Sequence, residues 1–215
     1  TGGQLVTDAQ LTGTALYSLT RNGQLSGTEL GRLTDAGTYS VSYTGGLVAG
    51  NSSYQLAAGS GITFTVQPRA LTVALVGTLA NPLSKTYDAS RLFTLVASNF
   101  TLGNFVDQHG AGASINQTQG MFNSKDVAQA NQLTVELNAS NLVVGPGVNP
   151  DNYVLPSSVT AAANITPRAL MISASSVAAR QYDGTRVATV TAGNLSGTVS
   201  GETLGLVTSA LFDTA

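Results

Sequence analysis

One histidine, His109, is the residue of this sequence with the clearest capacity for chemistry, and it lies in the polar segment Asp107–Gly112. A histidine acts as a general base when a nucleophile lies within hydrogen-bond reach and a carboxylate orients the ring. Asp107 and a serine could supply these groups, but the sequence contains no nucleophile elbow, phosphate-binding loop or histidine pair at metal-binding spacing. We therefore interpret His109 as a solvated loop residue, and we expect no catalytic residue and no enzymatic activity.

Two aspartates recur in the same local setting, Asp88 after Tyr87 and Asp183 after Tyr182. Such a pair could bind calcium between modules, but calcium takes about six to eight oxygen ligands, usually from several carboxylates. Each aspartate has few acidic neighbours in the sequence. An aspartate that accepts a hydrogen bond from the backbone of its own turn explains the recurrence more simply. We predict turn-capping aspartates, with no metal and no cofactor.

Two covalent modifications are also conceivable. Asn-x-Ser/Thr triplets can carry sugars in exported proteins, but chance and turn chemistry explain their mild excess here. Lys85 and Lys125 could form isopeptide cross-links if either were buried beside an acid. Arg180 takes the place of Lys85 in the second copy of its motif, so a shared cross-link is not expected. The triplets begin at Asn51, Asn99, Asn116, Asn138, Asn164 and Asn194.

A repeat positions these residues, and its clearest mark is Pro-Arg-Ala-Leu, at Pro68–Leu71 and Pro167–Leu170. Alternating apolar residues flank each proline, which cannot donate to a β-ladder, so each copy indicates a joint between two β domains. The two prolines lie 99 residues apart. A fixed period of this length indicates an array of similar modules.

Further marks recur at matching distances from the joints. Tyr54 and Tyr153 each precede their proline by 14 residues. Lys85–Ser90 and Arg180–Thr185 follow the joints with offsets that differ by four residues, which a loop insertion at Leu79–Pro82 explains. The marks on which the repeat rests are Pro68, Arg69, Tyr87, Asp88, Tyr54, Tyr153, Pro167, Arg168, Tyr182, Asp183 and Gly184, with a weaker pair at Gly120–Asn123 and Ala210–Asp213.

The Pro-Arg-Ala-Leu joints, Tyr182–Thr185 (Tyr-Asp-Gly-Thr), Asn194–Gly197 and Asp35–Tyr39 resemble the YDG and MBG repeat domains of large exported bacterial adhesins. Those adhesins are of the filamentous-haemagglutinin or biofilm-matrix type. The resemblance covers nearly the whole chain and departs from the family pattern at Ala89–Ser90 and Asp126–Ala128. It implies a secreted, extracellular or bacterial cell-surface location. It implies as partners the neighbouring modules and, through the full-length protein, carbohydrate or another cell's surface.

Composition agrees with a weakly charged, turn-rich β protein. The chain has 215 residues, of which 42% are hydrophobic and only 9% charged, with 24 glycines and no cysteine. Disulfides and thiolate metal sites are therefore excluded. A net charge of −2 offers no electrostatic surface for nucleic acid or anionic lipid. No apolar run approaches the length of a membrane helix, so we expect a soluble, folded chain with no membrane insertion.

We predict an all-β chain of tandem immunoglobulin-like sandwich modules in an elongated array, with β-grasp-like modules as the alternative. The boundaries divide it into residues 1–67 (the C-terminal part of an MBG-like module), 68–166 (a complete YDG-like module) and 167–215 (the N-terminal part of a further YDG-like module). Because this last part lacks half its strands, we expect it to be poorly ordered or to borrow partners from another chain.

The strand pattern also predicts turns and a core. Gly45–Gly46 should turn the chain, and a short strand should start at Tyr54. Gly103–Asn131 should be a long connection because its hydrophobic period is lost, with only a less clear strand near Ala113–Ile115. The predicted core of the first module is Tyr39, Val41, Tyr54, Phe64 and Val66, and that of the second is Leu71, Val73, Tyr87, Leu133, Val135, Tyr153 and Ile165.

Two functions remain after an enzyme is set aside. The first is a stalk or spacer that projects a distal binding region for cell adhesion or biofilm aggregation. The second is a module that itself binds carbohydrate or a host protein through variable loops, chiefly Gly103–Asn131.

Overall fold

The structure, a computed structural model, describes residues 11–21, 24–25, 35–50 and 54–213. These residues form β-strands and four short 3-10 helices, with no α-helix among them, so the predicted all-β class is confirmed. No helix within the described ranges is long and apolar enough to cross a membrane.

The elements follow in chain order, with η marking a 3-10 helix. Before the first proline the strands are β1 (Leu11–Arg21), β2 (Gln24–Leu25), β3 (Gly37–Ala49) and β4 (Ile62–Val66). Between the prolines lie β5 (Arg69–Ala70), β6 (Thr72–Leu75), β7 (Ser84–Thr86), β8 (Leu92–Thr94), η1 (Ala97–Asn99), β9 (Phe100–Gly103), η2 (Asp107–Gly110), β10 (Ser114–Ile115), β11 (Gln119–Phe122), β12 (Gln132–Glu136), η3 (Ala139–Asn141), β13 (Leu142–Val143), η4 (Pro150–Asn152), β14 (Tyr153–Val154), β15 (Ser158–Ala162) and β16 (Asn164–Thr166). After the second proline lie β17 (Met171–Ile172), β18 (Ser176–Val177), β19 (Val187–Ala188), β20 (Val190–Thr191), β21 (Leu195–Ser196) and β22 (Ala210–Leu211).

The chain divides into two compact units. Unit 1 contains Thr1–Thr72, Leu102–Ser114 and Asn138–Pro156, and unit 2 contains Val73–Thr101, Ile115–Leu137 and Ser157–Ala215. The joint at Pro68 therefore lies within unit 1, and the joint at Pro167 lies within unit 2.

Unit 1 contains an antiparallel sheet of four strands in the order β2-β1-β3-β4. Because side chains alternate along a strand, the paired register places Tyr17 opposite Tyr43 and Tyr39 opposite Phe64 on one apolar face. Serines and threonines occupy the other face, as at the pair Ser18 and Ser42. The Tyr39 and Phe64 rings stack at 5.4 Å between centroids, and Tyr39 is buried, as predicted. The clean alternation of Thr38–Tyr43 thus does form a strand with one apolar face.

The prediction that Gly45–Gly46 turns the chain is wrong, because β3 runs through both glycines to Ala49. The register with β1 shifts on either side of Leu16, so the strands pair around β-bulges here. Gly46 has φ 89°, and a Cβ atom there would collide with the Thr14 carbonyl oxygen. The glycine therefore permits close backbone approach within a strand instead of a reversal.

The predicted strand at Tyr54 is also wrong. Residues 54–61 are irregular, and Tyr54 is 53% exposed, so it does not belong to the core. Its counterpart Tyr153 is only 6% exposed in β14. Equal spacing from the two prolines therefore does not give these two tyrosines equal environments.

Two ladders complete the described part of unit 1. β5 pairs in parallel with β14, so that Tyr153 lies beside Arg69, and β10 pairs with β13. The buried apolar residues of the unit are Leu19, Ala36, Tyr39, Leu71, Leu142, Tyr153 and Leu155.

Unit 2 contains an antiparallel sheet in the order β15-β12-β11-β8, a parallel β7–β16 ladder and a β6–β9 ladder that begins at its boundary. The sheet buries Phe93, Phe122, Leu133 and Val135, and the Phe93 and Phe122 rings meet edge to face at 5.7 Å. Of the predicted core residues, Leu133, Val135 and Ile165 are fully buried, whereas Val73 and Tyr87 are partly exposed.

The prediction that Gly103–Asn131 is a long connection is wrong as well. The segment contains η2, β10 and β11, and it buries Ile115 and Phe122. β10 lies where a less clear strand is expected, at Ala113–Ile115, whereas the sequence pattern misses β11, because its 4 residues are too few to establish a visible period.

Residues 167–213, named here the 167–213 segment, form three two-stranded antiparallel ladders: β17–β21, β18–β20 and β19–β22. None of its described residues is buried. The apolar side chains of these ladders therefore lack the cover that a closed core provides.

Candidate functional site: the two joints

Arg69 fixes the first joint directly after Pro68. Its Nε donates to the Asn104 carbonyl oxygen at 2.7 Å, and its Nη2 donates to Asn104 Oδ1 at 2.8 Å. Asn104 Nδ2 donates in return to the Ala70 carbonyl oxygen at 2.6 Å. The guanidinium and the amide thus clasp the first strand after the proline to the turn at Asn104.

Arg168 makes a corresponding contact after Pro167. Its Nε donates to the Gly197 carbonyl oxygen at 2.6 Å. Asn104 has φ 70° and Gly197 has φ 95°, so both acceptors lie in the left-handed region that glycine and asparagine tolerate best. The recurring Pro-Arg pair therefore places one arginine on one tight turn at each joint.

A second clasp at the first joint links Asp35 and Asn152. Asn152 Nδ2 donates to Asp35 Oδ1 at 2.8 Å, and the Ala36 backbone N–H donates to Asn152 Oδ1 at 2.6 Å. Arg21 Nη1 lies 3.2 Å from Asp35 Oδ2, and the Tyr39 hydroxyl donates to the Asp35 carbonyl oxygen at 2.7 Å. The segment before β3 is thereby tied to η4.

The electrostatics of this clasp favour the ionised carboxylate of Asp35. The hydrogen bond from Asn152 lowers the pKa of Asp35 most, burial raises it, and Asn149 and Arg21 lower it further. The net result is a pKa below the usual value for an aspartate. Hydrogen bonds to an ionised group are stronger than those between neutral groups. The ionised Asp35 carboxylate therefore strengthens the contact with Asn152.

Tyr153 and His109 meet in a 440 Å³ cleft at the same joint, lined also by Asp35, Arg69 and Asn152. His109 Nδ1 lies 2.7 Å from the Tyr153 hydroxyl oxygen, and the Phe105 and Tyr153 ring centroids are 5.0 Å apart. The interpretation of His109 as a solvated loop residue is therefore incomplete, because its ring has a partner in the protein. The contact satisfies the hydroxyl of a buried tyrosine, as such groups require.

The Tyr-Asp marks form two matching turns. Asp88 Oδ1 accepts from the Ser90 backbone N–H at 2.9 Å, and Asp183 Oδ1 accepts from the Thr185 backbone N–H at 2.8 Å. These are the turn-capping contacts predicted from the sequence. A basic residue three positions earlier pairs with each aspartate: Lys85 with Asp88, and Arg180 with Asp183.

The hydrogen bonds in these turns lower the pKa of both aspartates. Burial raises the pKa of Asp88, but the hydrogen bonds from Lys85 and Ser90 outweigh it, so that the net pKa is below the usual value. The Thr185 backbone N–H lowers the pKa of Asp183 most, followed by the Thr185 hydroxyl and Arg180. Lys85 also donates to the Leu92 carbonyl oxygen at 2.7 Å. Lys85 thus links the Asp88 carboxylate to the backbone at Leu92 and stabilises the turn.

The second joint borders a cleft of 280 Å³ lined by Tyr87, Asp126, Arg168, Glu202 and other residues of unit 2. The Tyr87 hydroxyl donates to Glu202 Oε1 at 2.5 Å. This hydrogen bond is the largest cause of a raised pKa for the Tyr87 phenol. Tyr87, the tyrosine of the first Tyr-Asp mark, therefore contacts the 167–213 segment directly, and its motif does not predict this contact.

Two arginines missed by the sequence analysis repeat one more contact. Arg91 Nε donates to the Phe122 carbonyl oxygen at 2.6 Å, and the Phe122 N–H donates to the Arg91 carbonyl oxygen at 2.8 Å. Arg186 and Phe212 exchange the same two bonds at 2.7 and 2.8 Å. Position was the available signal, since each arginine follows the tyrosine of its Tyr-Asp mark by four residues and each phenylalanine lies in the weaker repeated pair.

Asn99 is a further residue whose structural role the sequence did not indicate. It is buried, its Nδ2 donates to the Val76 and Asn81 carbonyl oxygens at 3.1 and 2.9 Å, and its Oδ1 accepts from the Val96 N–H at 3.1 Å. An amide held in this way is occupied as a structural support and is inaccessible to a sugar. The glycosylation triplet at Asn99 is therefore a feature of packing.

The structure also bears on the residues considered for cross-linking, metal binding and glycosylation. Lys125 lies 3.4 Å from Asp126 with both side chains half exposed, which is not the buried setting that an isopeptide bond needs. Within the described ranges no group of three or more His, Cys, Asp or Glu side chains could hold a metal ion. Asn51 lies outside the described residues.

Comparison of the chain with models of protein families, with curated proteins and with solved structures finds no match.

Proposed function

We propose that the chain is part of the structural stalk of a bacterial surface or secreted adhesin, in which repeated modules project a distal binding region for cell adhesion or biofilm aggregation. The observation that supports this most directly is the use of the repeated residues. Arg69 and Arg168 brace the joints, and Asp88 and Asp183 cap equivalent turns. Residues that recur to hold backbone geometry are what a spacer needs.

The proposal includes a module architecture. Residues 1–67, 68–166 and 167–215 are taken as parts of successive modules of the YDG and MBG type, with an immunoglobulin-like sandwich or a β-grasp-like fold in each. The resemblance of the Pro-Arg-Ala-Leu and Tyr-Asp motifs to the repeats of exported adhesins supports both the family and the location outside the cell.

The joints support a spacer because they are short and braced. Only Gln67 and Pro68 separate β4 from β5, and proline fixes φ at about −65°. The clasp of Asp35 and Asn152 adds a charged hydrogen bond at this joint. Short, braced connections transmit position and force better than flexible linkers.

Small-angle scattering on proteins with one, two and three copies of residues 68–166 tests the spacer. We expect the maximum dimension to rise linearly with the number of copies. A matched series with Gly-Gly in place of Thr166 and of the Pro68 that follows it at each junction should give broader and shorter distance distributions. Particles whose size grows only with the cube root of mass would contradict an extended array.

Surface display separates the spacer from the alternative, in which the modules themselves bind carbohydrate or a host protein. A reporter binding domain displayed on bacteria above zero, one or three modules should capture target cells increasingly well as modules are added. Cells that display the modules without the reporter should not aggregate. Aggregation by the modules alone would favour the binding alternative.

A further inference from the structure

A short turn, named here the joint turn, follows each carbonyl that accepts from a joint arginine. In the first joint turn the His109 N–H donates to the Val106 carbonyl oxygen at 3.0 Å. In the second the Glu202 N–H donates to the Val199 carbonyl oxygen, also at 3.0 Å. His109 and Glu202 each lie five residues after the arginine-bound carbonyl. They therefore occupy equivalent positions, which carry an imidazole at one joint and a carboxylate at the other.

The last residue of each joint turn shares a cleft with residues that precede the proline of that joint. His109 lines the cleft at the first joint, here the first cleft, together with Asp35. Glu202 lines the cleft at the second joint, here the second cleft, together with Tyr87 and Asp126. At each joint, this position therefore brings the chain after the proline against the chain before it.

The residue that precedes the proline in the first cleft is negatively charged. Asn152 donates to Asp35 at 2.8 Å and keeps the pKa of that carboxyl below its usual value. Arg69 also lines the cleft, but its Nε and Nη2 already donate to Asn104. The imidazole of His109 adds no negative charge beside Asp35 in either protonation state, whereas a carboxylate at the same position would face a like charge.

The residues that precede the proline at the second cleft supply a hydrogen-bond donor and a cation. The Tyr87 hydroxyl donates to Glu202 Oε1 at 2.5 Å. Lys125 Nζ lies 3.4 Å from Asp126 and so offsets the charge of that carboxylate. Tyr87 raises the pKa of Lys125 most, Asp126 raises it further, burial lowers it, and Glu202 adds a smaller rise. The Glu202 carboxylate is therefore within the electrostatic reach of Lys125.

We propose that the last residue of each joint turn, His109 or Glu202, determines which preceding segment of the chain the turn accepts. The histidine turn fits a preceding segment that presents an ionised carboxylate, and the glutamate turn fits one that presents a phenol and an ammonium group. Exchanging the two residues would set a carboxylate against a carboxylate at the first cleft and remove the acceptor of the phenol at the second. Such penalties are how an interface excludes wrong partners.

This charge matching goes beyond the stalk function and does not rest on it. The contacts of His109 lie within unit 1 and those of Glu202 lie within unit 2. An array that proves compact in scattering would leave both contacts as they are. Equally, a joint turn that is indifferent to charge would leave an extended array unaffected.

Substitutions at position 109 of the intact chain test the first cleft. His109→Glu and His109→Gln introduce side chains of nearly equal shape, so comparing them isolates the charge. We expect the folding equilibrium constant of His109→Glu to be about tenfold lower than that of His109→Gln. When each is combined with Asp35→Asn, the two constants should become about equal, because the like charge is gone. Urea unfolding gives both ratios.

Every outcome at the first cleft decides for or against the matching. A ratio that is the same with and without Asp35→Asn, or no penalty for His109→Glu in either background, would overturn the proposal. If His109→Glu alone does not fold, folding of its combination with Asp35→Asn supports the matching. Failure of that combination, while His109→Gln with Asp35→Asn folds, would overturn it.

A double-mutant cycle of Tyr87→Phe and Glu202→Gln tests the second cleft independently. The measurement is hydrogen exchange of the amide of residue 202, whose bond to Val199 closes the joint turn. Each single substitution should speed this exchange about two- to fivefold, as the loss of an exposed charged contact does. The double variant should exchange no faster than the faster single variant, because both changes remove the same contact.

Glu136→Gln is the matched control for the second cleft. Glu136 is exposed on β12 and lines neither cleft, so its substitution changes net charge equally and should leave the exchange at residue 202 unchanged. Equal effects of Glu136→Gln and Glu202→Gln would overturn the proposal. Rates that multiply in the Tyr87 and Glu202 double variant would show that the two side chains act independently, and this result would overturn it too.

Discussion

Ala89 and Gly184 hold the same left-handed backbone conformation, with φ 63° and 73°, at equivalent places in the two Tyr-Asp turns. Both directly follow an aspartate whose side chain accepts from the backbone two residues later. The turn is therefore specified by the aspartate and the hydrogen bond, and alanine occupies a site that suits glycine. A left-handed residue with a Cβ costs roughly 1–2 kcal/mol.

Ala89→Gly should therefore stabilise the protein. The gain from relieving the left-handed alanine exceeds the added backbone entropy of glycine in the unfolded chain, which leaves about 0.5–1 kcal/mol. Urea unfolding measures the difference. Ala111→Gly is the matched control, because Ala111 is exposed with φ −66° and should lose about 0.5–1 kcal/mol on replacement. Destabilisation by both substitutions would contradict the strain at Ala89.

The sequence predicts strands best where alternation is sustained. Thr38–Tyr43 alternates over six residues and forms part of β3, while Gly45–Gly46 looked like a turn and is a bulged stretch of the same strand. A glycine pair permits both outcomes, and only the partner strand, with its own Gly13, decides between them. Local pattern therefore predicts the strand and not its length.

The joints were predictable as positions but not as contacts. The spacing of Pro68 and Pro167 locates them. Asn104, however, belongs to no recurring mark, and Asn152 belongs only to the polar turn before Tyr153. Each asparagine acts through a partner more than 30 residues away in the chain. Side-chain hydrogen bonds of this kind depend on tertiary placement, which hydrophobic patterning does not encode.

Tyr153 and Tyr54 should differ in their contribution to stability despite their equal spacing from the prolines. Tyr153→Ala removes a buried ring that contacts Phe105 and His109, and should cost roughly 3–5 kcal/mol. Tyr54→Ala affects an exposed side chain and should change stability by less than about 0.5 kcal/mol. Denaturant unfolding of the two variants compares them directly, and equal losses would refute the burial difference.

Asn152→Ala should destabilise the first joint by about 2 kcal/mol, because it removes a donor from the ionised Asp35 and leaves the Ala36 N–H without its acceptor. Asp151→Ala is the matched control, since that side chain is exposed and its backbone N–H keeps its bond to Asn149. Thermal unfolding gives both values. Equal destabilisation by Asn152→Ala and Asp151→Ala would contradict a stabilising role for the contact between Asp35 and Asn152.

The same clasp should make stability depend on pH. The pKa of Asp35 is lower in the folded chain than in the unfolded chain, so its contribution is present above the unfolded pKa, about 3.9, and is lost as pH falls through the folded pKa. The difference in unfolding free energy between the native chain and Asp35→Asn should therefore shrink on acidification below about pH 4. Comparing the two chains cancels the titration of Asp88 and Asp183, and a pH-independent difference would contradict the clasp.

Phe122→Ala and Phe212→Ala test whether the 167–213 segment unfolds cooperatively with the β15-β12-β11-β8 sheet. Phe122 is fully buried, meets Phe93 edge to face and lies opposite Leu133, so its removal should cost roughly 3–5 kcal/mol. Phe212 exchanges the same backbone bonds with its arginine but is 41% exposed, and its ring lies 5.3 Å from the Arg180 guanidinium. Its truncation removes a partly exposed cation–π contact, for which about 0.5–1 kcal/mol is typical.

Hydrogen exchange should show that Phe122→Ala weakens protection throughout the β15-β12-β11-β8 sheet, whereas Phe212→Ala affects β19 and β22 alone. A loss of sheet protection in Phe212→Ala would mean that the 167–213 segment unfolds together with this sheet and would contradict the expected independence.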